Sequence, residues 1–296
     1  MPRIAVFGGT GYLASLIKNS DDLKNKRYIF FSRKKNAKNN INNLALKKNL
    51  NILKKCNFII HLAGPNQDQL KRNKSLIKKK NQLTSNICDL CLNHNIKLIY
   101  ISSLQVYENY GKDNISIHSK INLRNSYSKS HYQSEKIIIK KFLNQKRMFT
   151  ILRMGNVFGS KQQINLKEIN NNLIHSLCFM ALKKKNILID NGSIQRTYIP
   201  SQIFIKVINF LIKNQYFKNS VINISYKNLD LKEVAKIIQK RTKLLFNLKV
   251  NVIIKKFTHK KFFVIRPNKN FKFNPVNHKI YYEIDQILKF IKKIIK

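Results

Sequence analysis

The chain of 296 residues has no tryptophan, 8 glycines, 5 prolines and 4 cysteines, and it sets only 13 Asp+Glu against 58 Lys+Arg. The shortage of carboxylates leaves few candidates for mechanisms built on paired acids or for an all-oxygen metal cage. No apolar run is long enough to span a bilayer. The spacing Cys88-Asp89-Leu90-Cys91 sits in a helical pattern without a second such pair or a histidine pair nearby, so it reads as a buried helix face and no metal site is expected. Met1-Pro2-Arg3 runs directly into apolar residues 4–7, with no signal-peptide core and no cleavage site, and the expected setting is cytoplasmic with reduced cysteines.

What is present is a hydrophobic fraction of 43% with 10% aromatics, enough for a packed core and too much for intrinsic disorder. The formal charge of +45 is the anomaly. Lys, Asn and Ile are over-used along the whole length, which reads as chain-wide compositional drift. A nucleic-acid site would concentrate the basic residues with stacking aromatics on one face, and no such motif stands out. The charge still favours an anionic small ligand.

Short apolar runs alternate with longer amphipathic stretches through the first half, the pattern of βαβ units in a parallel sheet. Strands are expected near residues 3–8, 27–32, 57–62, 97–102 and 149–153, and helices near 12–24, 75–94 and 126–143. Residues 33–55 are Asn/Lys-rich and poorly periodic. Beyond residue 160 the pattern loosens, as in a smaller region laid over the ends of the sheet. The tail 285–296 is amphipathic; it reads as a helix packed on its own domain, with a peripheral membrane contact as the less favoured option.

Gly8-Gly9-Thr10-Gly11-Tyr12-Leu13-Ala14 follows the first strand and opens a helix. Glycines at such a turn let backbone N–H groups approach a pyrophosphate, and a small residue at 14 lets helix and strand pack closely, so dinucleotide binding is expected. The second strand ends Phe31-Ser32-Arg33. An acidic residue there would hold a ribose 2′-OH; Ser32 and Arg33 suit a 2′-phosphate instead, which favours NADP with NAD possible. Leu62, Ala63 and Gly64 end the third strand, where small residues permit close approach of the cofactor. His61 reads as a strand residue.

Six blocks in order, GGTGYLA at 8–14, IIHLAG at 59–64, YISSLQVY at 100–107, NSYSKSHYQSEK at 125–136, ILRMGNVFG at 151–159 and GSIQRTYI at 192–199, resemble the extended short-chain dehydrogenase/reductases, the NAD-dependent epimerase/dehydratase group that modifies nucleotide sugars. The resemblance implies an α/β fold: a Rossmann-type doubly wound parallel sheet over residues 1–160, completed by part of 200–225, with a smaller C-terminal α/β substrate-binding region in 161–296. It also implies a nicotinamide cofactor, a nucleotide-diphosphate-sugar substrate, a place in surface-polysaccharide synthesis, and a homodimer as one option.

Within that resemblance Ser103 is the hydroxyl that would hydrogen-bond the reacting sugar oxygen. Leu104-Gln105 stands where dehydratases of the group carry Asp-Glu, which argues against a 4,6-dehydratase. The YxxxK signature departs. Two registers exist, Tyr127 with His131 and Tyr132 with Lys136, and five residues of helix separate the two tyrosines by about 140°. Asn125, Ser130 and Glu135 are the usual neighbours of the first register, and Arg153 lies 22 residues beyond His131, the usual interval, so Tyr127 is the expected acid/base. His131 can keep the hydrogen bond to the nicotinamide ribose that the lysine makes, but as a neutral imidazole it does little to lower the phenol pKa. Asn156, Asn172 and Arg196 match positions that contact the nucleotide diphosphate, with Thr197 replacing a common acidic neighbour. The expected activity is epimerisation or 4-keto reduction. A cofactor-binding regulator or scaffold with weakened catalysis is the second reading, and a nucleic-acid role the third.

Overall fold

The computed structural model describes residues 1–20, 27–33, 47–107, 114–146, 148–159, 172–256, 264–265 and 279–295. Along the chain lie β1 (Arg3–Phe7), α1 (Tyr12–Lys18), β2 (Arg27–Phe31), α2 (Lys47–Leu53), β3 (Phe58–His61), α3 (Gln67–Arg72), α4 (Leu76–Asn93), β4 (Lys97–Ser103), β5 (Asn114–Ile115), α5 (Ser126–Lys141) and β6 (Phe149–Met154). There follow β7 (Asn156–Phe158), α6 (Leu173–Lys184), β8 (Asn186–Asn191), β9 (Gln195–Pro200), α7 (Ser201–Lys213), β10 (Ser220–Ile224), β11 (Lys227–Asp230), α8 (Leu231–Phe246), β12 (Asn251–Lys256), β13 (Val264–Ile265) and α9 (Ile280–Ile294).

Six strands form one sheet in the order β10-β6-β4-β3-β1-β2, and every pairing in it is parallel. The short apolar runs of the sequence are these strands. Ile4, Ala5, Val6 and Phe7 are all fully buried, because helices cover both faces of a parallel sheet. Residues of α1 and α7, including Ala14, Ile17, Ile203 and Ile208, build the core on one face. Leu53 of α2, Ile87, Cys88 and Cys91 of α4 and Ile138 of α5 build it on the other. The fold is therefore the Rossmann-type doubly wound sheet.

The strands fall within a residue or two of their expected places. Helix α1 ends at Lys18, short of the expected residue 24, and residues 21–26 lie outside the described part. So does 34–46 of the stretch with poor periodicity, of which α2 is the described remainder. A third core lies beyond the sheet, where α6, α8 and α9 pack together over the two-stranded β8–β12 ladder. Ile280, Ile284, Ile287, Leu288 and Ile291 of α9 are buried in it, so the amphipathic tail is a helix packed on its own domain. Smaller ladders, β11-β9-β7 and β5-β13, complete the described strands. No helix of the described residues is long and apolar enough to cross a membrane.

Candidate functional site

Strand order reverses between β1 and β3, and a cleft of about 860 Å³ opens there at the carboxyl ends of the strands. Its first wall is the glycine turn. Gly8 has φ +94°, and a Cβ on it would stand 2.8 Å from the Ala63 backbone nitrogen. Only glycine allows the turn after β1 to lie so close to the end of β3. The Gly8 and Gly9 N–H groups both donate to the Phe31 carbonyl, at 3.1 and 2.8 Å, which pins the turn to the end of β2. Gly11 precedes α1 and offers no side-chain cap, so the first-turn N–H groups of the helix stay available to an anion.

Tyr12, Leu13, Ser32, Arg33, Leu62, Ala63 and Gly64 all line this cleft with the glycines. The Ser32 hydroxyl shares a 3.0 Å hydrogen bond with that of Thr10, and Arg33 is exposed at the rim. The Tyr12 hydroxyl donates to the Gly159 carbonyl at 2.9 Å, tying α1 to the end of β7. The turn, the narrow approach to β3 and the uncapped helix fit the diphosphate of a dinucleotide.

The opposite wall is built by β4 and α5. Ser103 ends β4, and its hydroxyl lines the cleft beside Tyr127. Asn125 caps α5 by a capping box with Ser128, which sets the rotation of the helix. Tyr127 and His131, one turn apart, then face the cleft together, their rings edge-on with centroids 4.6 Å apart. Tyr132 and Lys136 turn away: Tyr132 packs on the small cluster around Leu104 and Val106, with the exposed Lys136 over its ring. Burial pushes the Tyr127 phenol up to about 12, an effect the nearby Ser103 hydroxyl opposes. His131 is held well below the usual histidine range by burial first and by the nearby Lys80, and it is neutral. Its Nδ1 shares a 3.0 Å hydrogen bond with the Tyr100 hydroxyl.

Beneath this wall Glu135 is fully buried and takes a bidentate ion pair from Arg153, with Nη2 at 2.6 Å and Nε at 3.0 Å, together with the Ser102 hydroxyl. Arg153 also donates to the Tyr107 hydroxyl, which donates to Asn223 at 3.0 Å. The network locks β4, α5, β6 and β10 together behind the reactive residues.

The substrate-side residues are less uniformly placed. Asn156 and Asn172 line the cleft, yet both side chains also have local partners. The Asn156 amide donates to the Thr197 carbonyl, and Asn172 caps α6 while donating to the Val157 carbonyl. Arg196 is not among the cleft-lining residues; its neighbours Thr197 and Tyr198 are, and its Nε is buried without a hydrogen-bond partner among the described residues. Gln105 and His175 also line the cleft. Sequence reasoning missed His175, Tyr100 and the buried Lys80. It placed Cys88 and Cys91 on a buried helix face, and both thiols are indeed buried with their pKa values raised, Cys88 to about 12. No cluster of potential metal ligands exists among the described residues.

Comparison with known proteins agrees with this fold. The chain superposes on a UDP-N-acetylglucosamine 4-epimerase from Bacillus cereus with TM-score 0.78 and 18% identity, covering 99% of this chain and 100% of that one. A UDP-glucose 4-epimerase from Thermotoga maritima gives TM-score 0.78 at 15% identity, covering 99% and 100%. A UDP-glucuronic acid 4-epimerase from Bacillus cereus, solved with UDP-glucuronic acid and NAD, gives 0.77 at 17%, covering 99% of each chain. No curated protein matches the chain significantly in sequence. Residues 4–225 match a family model that takes in the whole six-stranded sheet with its cleft, and the chain belongs to the NAD dependent epimerase/dehydratase family.

Proposed function

We propose that the chain is an NAD(P)-dependent enzyme that epimerises a nucleotide-diphosphate sugar or reduces its 4-keto form, in surface-polysaccharide synthesis. The observation that carries the reading is the meeting of the glycine turn with Ser103, Tyr127 and His131 in one cleft. Gly8, Gly11, Tyr12 and Leu13 hold the cofactor diphosphate, Ser32 and Arg33 its adenosine end, and Leu62, Ala63 and Gly64 the close passage over β3. NADP is the preferred form, since Arg33 matches a 2′-phosphate. When bound, the nicotinamide exchanges hydride with the sugar carbon.

The chain's own residues handle the proton. Ser103 polarises the sugar oxygen, and Tyr127 passes a proton to it or takes one from it. With the phenol near 12 in the free protein, Tyr127 is protonated at neutral pH and ready to donate to a keto oxygen. His131 orients the nicotinamide ribose through a hydrogen bond. Asn156 and Asn172, which line the cleft, serve the sugar-nucleotide diphosphate, and Arg196, outside the lining but next to Thr197 and Tyr198, is assigned to it by its place in the motif alone. Epimerisation requires the 4-keto sugar to turn over before hydride returns, and reduction does not.

Incubating the protein with UDP- and dTDP-sugars and either cofactor, followed by sugar NMR, tests the reading. A C4 epimer or reduced sugar is the expected product. Tight cofactor binding with every sugar unchanged contradicts the enzyme reading and favours the regulator suggested by the neutral His131.

A further inference from the structure

Three consecutive lysines, residues 78–80, follow Leu76 and Ile77 at the start of α4, and only one of them faces inward. Lys78 and Lys79 are exposed, whereas Lys80 is 4% exposed. Its ammonium lies under Gly64, with Nζ 3.5 Å from where a Cβ on that glycine would stand, and over the Tyr100 ring, 5.6 Å from the centroid. Tyr100 hydrogen-bonds His131, and His131 packs edge-on against Tyr127. A buried cation is thus one aromatic ring away from the acid/base pair, on a helix that packs against α5.

The groups around it leave it little competition. His61 on β3 is held down to about 3 by burial and by Lys80, and His131 on α5 is neutral for the same reasons. Tyr100 on β4 and Tyr127 on α5 keep their protons at neutral pH, since burial raises both. Among the described residues Glu135 on α5 is the carboxylate acting on Lys80, and it is already engaged by Arg153. Ionising a lysine in such surroundings is unfavourable unless a negative charge arrives nearby.

We propose that Lys80 is the positioning residue of the catalytic cluster, supplying from α4 the positive charge that position 131 on α5 does not carry. The inference rests on the reading of Tyr127 as acid/base. The ammonium favours a developing phenolate at Tyr127 through the Tyr100–His131 link and favours an anionic cofactor above Gly64. Burial brings Lys80 down to about 7, with Glu135 opposing the shift, so this charge is switched by pH near neutrality.

The test measures NADPH affinity by fluorescence at matched salt from about pH 6 to 8.5, together with turnover, in wild type, Lys80→Met, Lys80→Arg and the double variant Lys80→Met/His131→Lys. In wild type the affinity weakens several-fold as pH rises through about 7, because the anion is held best by the ammonium. In Lys80→Met this step is lost and kcat falls ten-fold or more with sugar KM little changed. In Lys80→Arg the affinity at low pH persists to 8.5, since a guanidinium does not titrate there. The double variant recovers turnover, because the cation now sits on α5. Equal pH dependence in wild type and Lys80→Met, or a Lys80→Arg protein that still loses affinity above pH 7, overturns the proposal. Failure of wild type to bind either NADPH or NADH at any pH contradicts the enzyme reading and this inference with it.

Discussion

Two side-chain positions carry opposite lessons. Gly8 was legible in the sequence because its need is local: a strand, a turn with positive φ and a helix start occur within seven residues. Replacing it with alanine puts a methyl group 2.8 Å from backbone and keeps φ at +94°, neither of which a flexible neighbour can relieve. Gly8→Ala is expected to cost about 1–3 kcal/mol of backbone strain in addition to the clash, seen as a lower melting temperature and lost cofactor binding. Lys80 was not legible. One lysine among 58 Lys+Arg is distinguished only by which way α4 turns it, and that depends on contacts with β3, β4 and α5. Its displacement from 10.5 to about 7 has a definite sign for stability. Between those values the unfolded chain binds the extra proton, so this group's contribution to stability rises with pH across that window, and its cost is fully present below 7. Lys80→Met is therefore expected to be more stable than wild type at pH 6, by at most about 5 kcal/mol, with the difference shrinking toward pH 10. Thermal melts at several pH values check this; an equal or lower melting temperature at pH 6 contradicts it.

Among the elements, α5 shows how far pattern and physics agree. Tyr132 and Lys136 have the letters of the signature, yet the capping box of Asn125 and Ser128 sets the helix so that Tyr127 and His131 meet the cleft. The neighbours Asn125 and Glu135, which carry the packing of the helix, distinguished the registers better than the signature itself. The terminal helix α9 was also legible, since its apolar residues repeat at helical spacing and find α6 and α8 to cover them. Leu288→Ala removes a fully buried side chain from that core and is expected to destabilise by about 2–5 kcal/mol in denaturant unfolding. The small ladders were not legible. Strands β7, β9 and β11 are three to six residues long and pair across large gaps in sequence, so their partners depend on the completed sheet and not on local pattern.

At the scale of the molecule, the +45 charge attracts every anion and obscures specific recognition. A preference for NADPH over NADH due to Arg33 should survive at high salt, where the general attraction is screened, and Arg33→Asp should reverse or erase it in paired fluorescence titrations. A preference that vanishes with salt in wild type assigns it to overall charge instead. The central claim concerns one phenol in one cleft, and it is tested most directly by comparing turnover of a nucleotide sugar by wild type, Tyr127→Phe and Tyr132→Phe under identical conditions. Loss of at least about a hundred-fold in Tyr127→Phe, as removal of a proton-transfer group implies, with Tyr132→Phe near wild type, is the predicted result. Retained activity in Tyr127→Phe, or loss in Tyr132→Phe alone, contradicts it.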